Sequence, residues 1–299
     1  VSRRLRLLNL ICARVLRPRL VRTPSPRAGA ADFARMARMV FRRPRYLCAV
    51  PDLGAPVRMT RVTCGAAAVG PVVLYLHGGA YFSGSARTHL GLAGRLARLA
   101  GVEVAVPDYR LLQAAPFPAA FDDALAAWDH LRRGRAASDI VLAGDSAGGG
   151  LALAVLAHVL ARGERPAGVV VFSPWTDLTL SGGSLGSAGE VLLPVERMAE
   201  VAEQYLAGAE VRDPRASPLF AGFACPPAVL IQVGSGEALR DDAVRMAEVL
   251  RAAGGVVDLR VWEDCPHVWQ LFDGWIPEAR AALREAAGFV QTSLARARR

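Results

Sequence analysis

Ile140-Val141-Leu142-Ala143-Gly144-Asp145-Ser146-Ala147-Gly148-Gly149 is the stretch from which the fold can be read. Apolar residues of strand type run into a Gly-x-Ser-x-Gly pentapeptide, and a long apolar segment, 147–161, follows at once. Strand, tight turn and helix in that order thrust a serine hydroxyl out at the end of a sheet. Small residues at 144 and 148 permit the turn. The amide of Ala147 then points into the same space at a helix N-terminus, where anionic charge is favoured. Taken alone, the pentapeptide also fits an ordinary Gly-rich turn closing a βα unit.

Outward from this turn, short apolar runs alternate with longer amphipathic segments. Strands are predicted at 72–76, 102–106, 168–173, 228–234 and 256–262, and helices at 86–100, 118–133, 241–253 and 277–296. Near-continuous Val/Ile/Leu strands between helices indicate a parallel sheet covered on both faces, an α/β fold. Two segments interrupt the rhythm. Residues 1–45 are helical in character and punctuated by Pro18, Pro24, Pro26 and Pro44; residues 178–222 are rich in Gly, Ser and Pro, with an amphipathic helix near 195–207. Both fit against the carboxyl edge of the sheet, where such folds bind ligands.

Composition narrows the function classes. With 299 residues, 53% hydrophobic and 21% charged, the chain can bury a sizeable core, which excludes disorder and a small disulfide scaffold. The formal charge of +9 is unevenly spread: residues 1–45 hold 13 Arg against Asp32 alone, and the rest is near neutral. A nucleic-acid binder would carry its basic residues along one face of the fold, so nucleic acid is not expected as a partner. Cys12, Cys48, Cys64, Cys225 and Cys265 are scattered and odd in number, which argues against a zinc site or a disulfide framework. The apolar run at the N-terminus is interrupted by Arg6 and Asn9 and makes a poor signal peptide. The segment 146–161 is shorter than the roughly 20 residues a membrane span needs. A cytoplasmic location is the expectation.

A serine nucleophile needs oxyanion donors, a base and an acid. His77-Gly78-Gly79-Ala80-Tyr81 follows the strand 72–76, in the loop where further backbone donors are supplied, and glycines there let amides approach a substrate. Of the five histidines, His158 lies three turns into the helix after Ser146, about 18 Å along its axis. His89 and His130 read as solvated or core-edge residues on helix faces. His267 follows the last strand, at the edge where Ser146 emerges, and is the candidate base. Glu237 is the first carboxylate past the strand 228–234, whereas Asp241 and Asp242 suit a helix start. Glu237 is therefore preferred over Asp241 as the acid, and Ser146, Glu237, His267 is the chain order expected of such a site.

These motifs resemble the hormone-sensitive-lipase-like esterases, the α/β-hydrolases often called bacterial family IV, from about residue 70 to 295. Asp108-Tyr109-Arg110, Pro116-Phe117-Pro118, Ser173-Pro174-Trp175-Thr176-Asp177 and Asp213-Pro214 with Ser217-Pro218-Leu219 look like further family blocks. The resemblance implies oxyanion donation from Gly78, Gly79 and Ala147. It also implies cap helices in 1–45, a catalytic core in 46–177 and 223–299, and a cap insertion in 178–222. The implied reaction is hydrolysis of short to medium acyl esters through an acyl-enzyme, with no metal or cofactor; a lactone hydrolase or acetyl-hydrolase would use the same triad. A non-catalytic ligand receptor on this scaffold is disfavoured, since nucleophile, acid and base are all present. The chain departs from the family at three places. Ala80 replaces a third glycine; Leu112-Gln113-Ala114-Ala115 replaces the usual Ala-Pro-Glu-His; and the acid is Glu where many relatives have Asp. The N-terminal Arg cluster reads first as the solvated face of a cap helix, and second as a contact with an anionic membrane surface through residues 1–20. The last helix reads equally as a homodimer element or a solvated terminus.

Overall fold

The computed structural model describes residues 1–65, 70–187 and 189–298. Eight strands form one sheet: β1 (Leu47–Asp52), β2 (Met59–Cys64), β3 (Val72–Leu76), β4 (Glu103–Pro107), β5 (Ile140–Asp145), β6 (Gly168–Phe172), β7 (Val229–Gly234) and β8 (Val257–Trp262). Their spatial order is β1-β2-β4-β3-β5-β6-β7-β8, antiparallel for β1, β2 and β4 and parallel from β4 through β8. The parallel part agrees with the sequence reading to within a residue or two. The first two strands do not appear in that reading. In β1 the central four residues are exposed, so no buried apolar run marks it, and β2 mixes apolar with polar positions.

Helices cover both faces. The helices α1 (Arg3–Ile11), α2 (Arg17–Val21), α3 (Pro26–Val40), α4 (Ala86–Ala100), α5 (Ala119–Arg132), α6 (Ser146–Ala161), α7 (Met198–Leu206), α8 (Arg240–Ala252) and α9 (Pro277–Ala297) follow in chain order. One apolar layer joins α4 and α9 to the sheet; a larger one on the opposite face joins α5, α6 and α8. The inner face of α9 is buried in the first layer. Helix α4 is delimited by its own sequence. Ser85 and Thr88 form a reciprocal capping box, and Gly101 ends the helix at φ 70°, where an L side chain would be strained. Helix α6 is apolar around nearly all of its circumference because protein encloses it as far as Leu156; His158 and Ala161 near its C-terminus are exposed.

The chain leaves β3 toward β4 on one side and later enters β5 on the other, so connections diverge between these neighbouring strands. The loops after β3 and β5 thus open into a crevice at the carboxyl edge of the sheet, where such folds place ligands. The segments 1–45 and 178–222 meet above it. Arg17 pairs with Glu196 at 2.6 Å, and Arg197 donates to the carbonyls of Val21 and Thr23 at 2.8 and 3.0 Å.

Candidate active site

Ser146 sits at the junction of β5 and α6 with φ 53°, a strained conformation for a residue with a Cβ. Neighbouring glycines permit it. A Cβ on Gly148 would collide with the carbonyls of Leu76 and His77, and one on Gly144 with that of Gly148. The strand and helix can therefore close on one another only if both positions stay bare.

The structure brings together the three side chains singled out from sequence. Ser146 Oγ lies 2.9 Å from His267 Nε2, and His267 Nδ1 lies 2.8 Å from Glu237 Oε2. All three are buried. Glu237 Oε1 accepts from the Gly234 amide at 2.6 Å and from Ser173 Oγ at 2.8 Å, so the carboxylate is locked. Ser173 also accepts from the Val268 amide at 3.2 Å, linking the acid to the chain just past the base. Burial is the largest influence on His267 and pulls its pKa down. The Glu237 hydrogen bond and charge outweigh it, and the net pKa is raised above the ordinary histidine value. Asp241 is not in this constellation, because its carboxylate accepts from the Ser184 amide at 2.9 Å. Asp242 stands in the first turn of α8, as expected of a helix-start acid, but it does more than face the helix N-terminus. It is buried and accepts from the amides of Thr176 and Asp177, and burial raises its pKa to about 7.

The loop after β3 corrects one expectation. The Gly78 amide, expected to face an oxyanion, donates instead to Asp145 Oδ1 at 3.0 Å. With its N–H committed to that carboxylate, Gly78 anchors the loop. The amides of Gly79 and Ala80 have no acceptor among the described residues, and both residues line the cavity beside Ser146. The Ala147 amide belongs to the first turn of α6, whose N–H groups lack intrahelical partners. Ala80 has φ 51° and Tyr81 φ 59°, so the loop runs left-handed through two residues with side chains. Its brace is also distinct: Leu112 and Gln113 donate to the carbonyls of Tyr81 and Phe82 at 2.9 and 2.5 Å.

Asp145 was missed as a site residue although it lies inside the motif. It is fully enclosed and accepts from Tyr75 Oη at 2.7 Å as well as from Gly78. Burial would raise its pKa, but the neighbouring His89, 3.4 Å away, together with the hydrogen bonds from Tyr75 and Gly78, holds it below the usual carboxylate range. His89 is accordingly no solvated helix residue; it is completely buried beside this carboxylate. His77 stacks on Tyr109 and, through burial and the nearby His89, has its pKa lowered to about 3. It is neutral and structural. His130 pairs with Asp52, and His158 is exposed, in keeping with peripheral roles. Ser173, by contrast, stands in a block the family resemblance had marked.

Ser146 and His267 open onto a cavity of about 220 Å³. Leu20, Phe33 and Met36 from the N-terminal helices wall one side, and Leu192, Met198 and Val201 from the insertion wall another. No group of three or more His, Cys, Asp or Glu suited to a metal ion occurs among the described residues.

A family model described as the α/β hydrolase fold matches residues 73–271. An acetyl-hydrolase of Streptomyces hygroscopicus is 41% identical over 75% of this chain and 76% of its own length. An esterase of Acinetobacter venetianus is 36% identical over 75% of each. A crystal structure of an esterase from the bacterial hormone-sensitive lipase family superposes with a TM-score of 0.91 at 34% identity, covering 98% of this chain and 99% of that one. The chain belongs to the α/β-hydrolase family, in its hormone-sensitive-lipase-like branch, and is a carboxylic ester hydrolase.

Proposed function

We propose that the chain is a serine carboxylesterase acting on short to medium acyl esters through Ser146, His267 and Glu237. One observation carries the reading: an unbroken hydrogen-bonded path from Ser146 Oγ through His267 to Glu237, opening on a largely apolar cavity. His267 Nε2 takes the proton from Ser146 as Oγ attacks the ester carbonyl carbon. The charge that develops on the carbonyl oxygen is met by the amides of Gly79, Ala80 and Ala147, each donor worth about 3 kcal/mol of barrier. Collapse expels the alcohol, which receives its proton from His267. Water then attacks the acyl-enzyme with His267 again as base, and Ser146 regains its proton as the acid leaves. Glu237 stays ionised throughout, holding the imidazole tautomer and stabilising the imidazolium.

Acetyl esters are the second reading, favoured by the name of the Streptomyces relative. The five free cysteines fit a reducing compartment and a cytoplasmic enzyme. No helix among the described residues is long and apolar enough to cross a membrane. The test is hydrolysis of p-nitrophenyl esters of graded acyl length by wild type and Ser146→Ala. Activity that peaks at short chains and is lost in the variant supports the reading. An acetate-only profile supports the acetyl-hydrolase, and equal activity in both proteins refutes Ser146 as nucleophile.

A further inference from the structure

Helix α1 is fastened to the body by one face. Leu5, Leu8 and Cys12 pack into a cluster with Trp269, Phe272 and Ile276. Ser2 donates to Glu278 at 2.7 and 3.0 Å, and Asn9 donates to the carbonyl of Asp264 at 2.8 Å. The opposite face is then held outward. It carries Leu7, Leu10, Ile11 and Val15, exposed by 58, 52, 42 and 58%. Those residues recur at helical spacing, so they form one apolar stripe along the turns from α1 into the segment before α2. A solvated cap helix would carry polar residues at these positions.

The stripe is interleaved with cations. Arg3, Arg4, Arg6 and Arg14 are exposed and make no ion pair among the described residues, and residues 1–22 contain no acid. The arginines nearer the cavity differ: Arg17 is paired with Glu196 and Arg19 with Asp32. An outward apolar face with unpaired arginines among it matches a surface that is apolar beneath and anionic on top. Arginine stems lie along such a boundary while the guanidinium groups reach phosphates.

We propose that the outer face of α1 and the turn after it docks the protein on an anionic phospholipid surface. The leucines, isoleucine and valine enter the headgroup boundary, and Arg3, Arg4, Arg6 and Arg14 bind lipid phosphates. Leu16 and Leu20, further along the same helical run, line the cavity. Docking thus sets the helices that wall the cavity against the bilayer. The proposal goes beyond the esterase reading and does not depend on it.

The test is cosedimentation of the full chain with vesicles of three parts phosphatidylcholine to one part phosphatidylglycerol, and with phosphatidylcholine alone. Binding is expected only to the anionic vesicles. It should weaken between about 0.1 M and about 1 M salt, as the screening length falls from ~10 to ~3 Å. Replacing Leu7, Leu10, Ile11 and Val15 together by Ser should lower partitioning by roughly tenfold or more, as should replacing Arg3, Arg4, Arg6 and Arg14 by Gln. Both variants should keep the wild-type unfolding temperature, which separates lost docking from lost folding. Absence of binding to anionic vesicles, or binding undiminished by the serine set, would overturn the proposal. Self-association that the serine set abolishes, without vesicle binding, would assign the face to a second copy of the chain instead.

Discussion

The Gly78 amide donates at 3.0 Å to Oδ1 of Asp145, the residue immediately before Ser146. The loop after β3 and the turn after β5 are thereby one mechanical unit. The loop that carries Gly79 and Ala80 is tied in this way to the residue beside Ser146, which positions the proposed donors against the proposed nucleophile. Asp145→Ala strands the Tyr75 hydroxyl and the Gly78 amide in a buried site. Each stranded donor costs about 1–3 kcal/mol. A lowered unfolding temperature is expected, with kcat reduced roughly 10- to 100-fold. Thermal denaturation and steady-state kinetics check this, and an unchanged kcat would show that Asp145 does not position the loop.

Glu237→Gln should leave the fold intact and lower kcat by roughly 10³- to 10⁴-fold, because the amide no longer enforces the tautomer or supports the imidazolium. The pH profile has a definite sign. In the proposed mechanism neutral His267 is the active form, and Glu237 raises its pKa, so the acidic limb of kcat/KM should lie above about 6.5. In the Gln variant burial remains and the carboxylate is gone, so the limb moves to lower pH. Stability follows the same linkage: the raised pKa of His267 contributes stability that is complete below about 6.5 and lost as pH rises through the folded value. A limb that does not move would detach Glu237 from His267.

Ser173→Ala removes one of the hydrogen bonds on Glu237 Oε1 and the acceptor of the Val268 amide. Because the Gly234 bond to the same oxygen remains, the expected loss is smaller, roughly tenfold in kcat with KM nearly constant. A rise in KM at constant kcat would instead place Ser173 in substrate binding.

Val201→Trp thickens the cavity wall contributed by α7. Hydrolysis of p-nitrophenyl octanoate should fall by roughly tenfold relative to acetate, since a methylene in such a pocket is worth about 1–3 kcal/mol. Equal effects on both esters would mean that chain length is set elsewhere.

Much of this molecule is legible locally. Buried parallel strands announce themselves as apolar runs, and β5 with Gly144 and Gly148 encodes its own turn, because both properties depend on adjacent residues. The edge strands β1 and β2 are harder to read, since their positions are exposed or mixed in polarity. Chain order and the free position of His267 also sufficed to nominate the residues that meet at Ser146. The assignment of Gly78 failed because the partner of a backbone amide is not written in its neighbours. It lies 67 residues away.

The sequence by itself determined the parallel part of the sheet, the turn bearing Ser146 and the candidates for base and acid. Tertiary structure decided which amides stay free, that Asp145 and His89 share a sealed site, that Ser173 clamps Glu237, and which side of α1 faces outward. The division has a physical cause. Strand, helix and turn preferences are short-range, whereas a hydrogen-bond partner and an exposed face exist only once distant segments have packed.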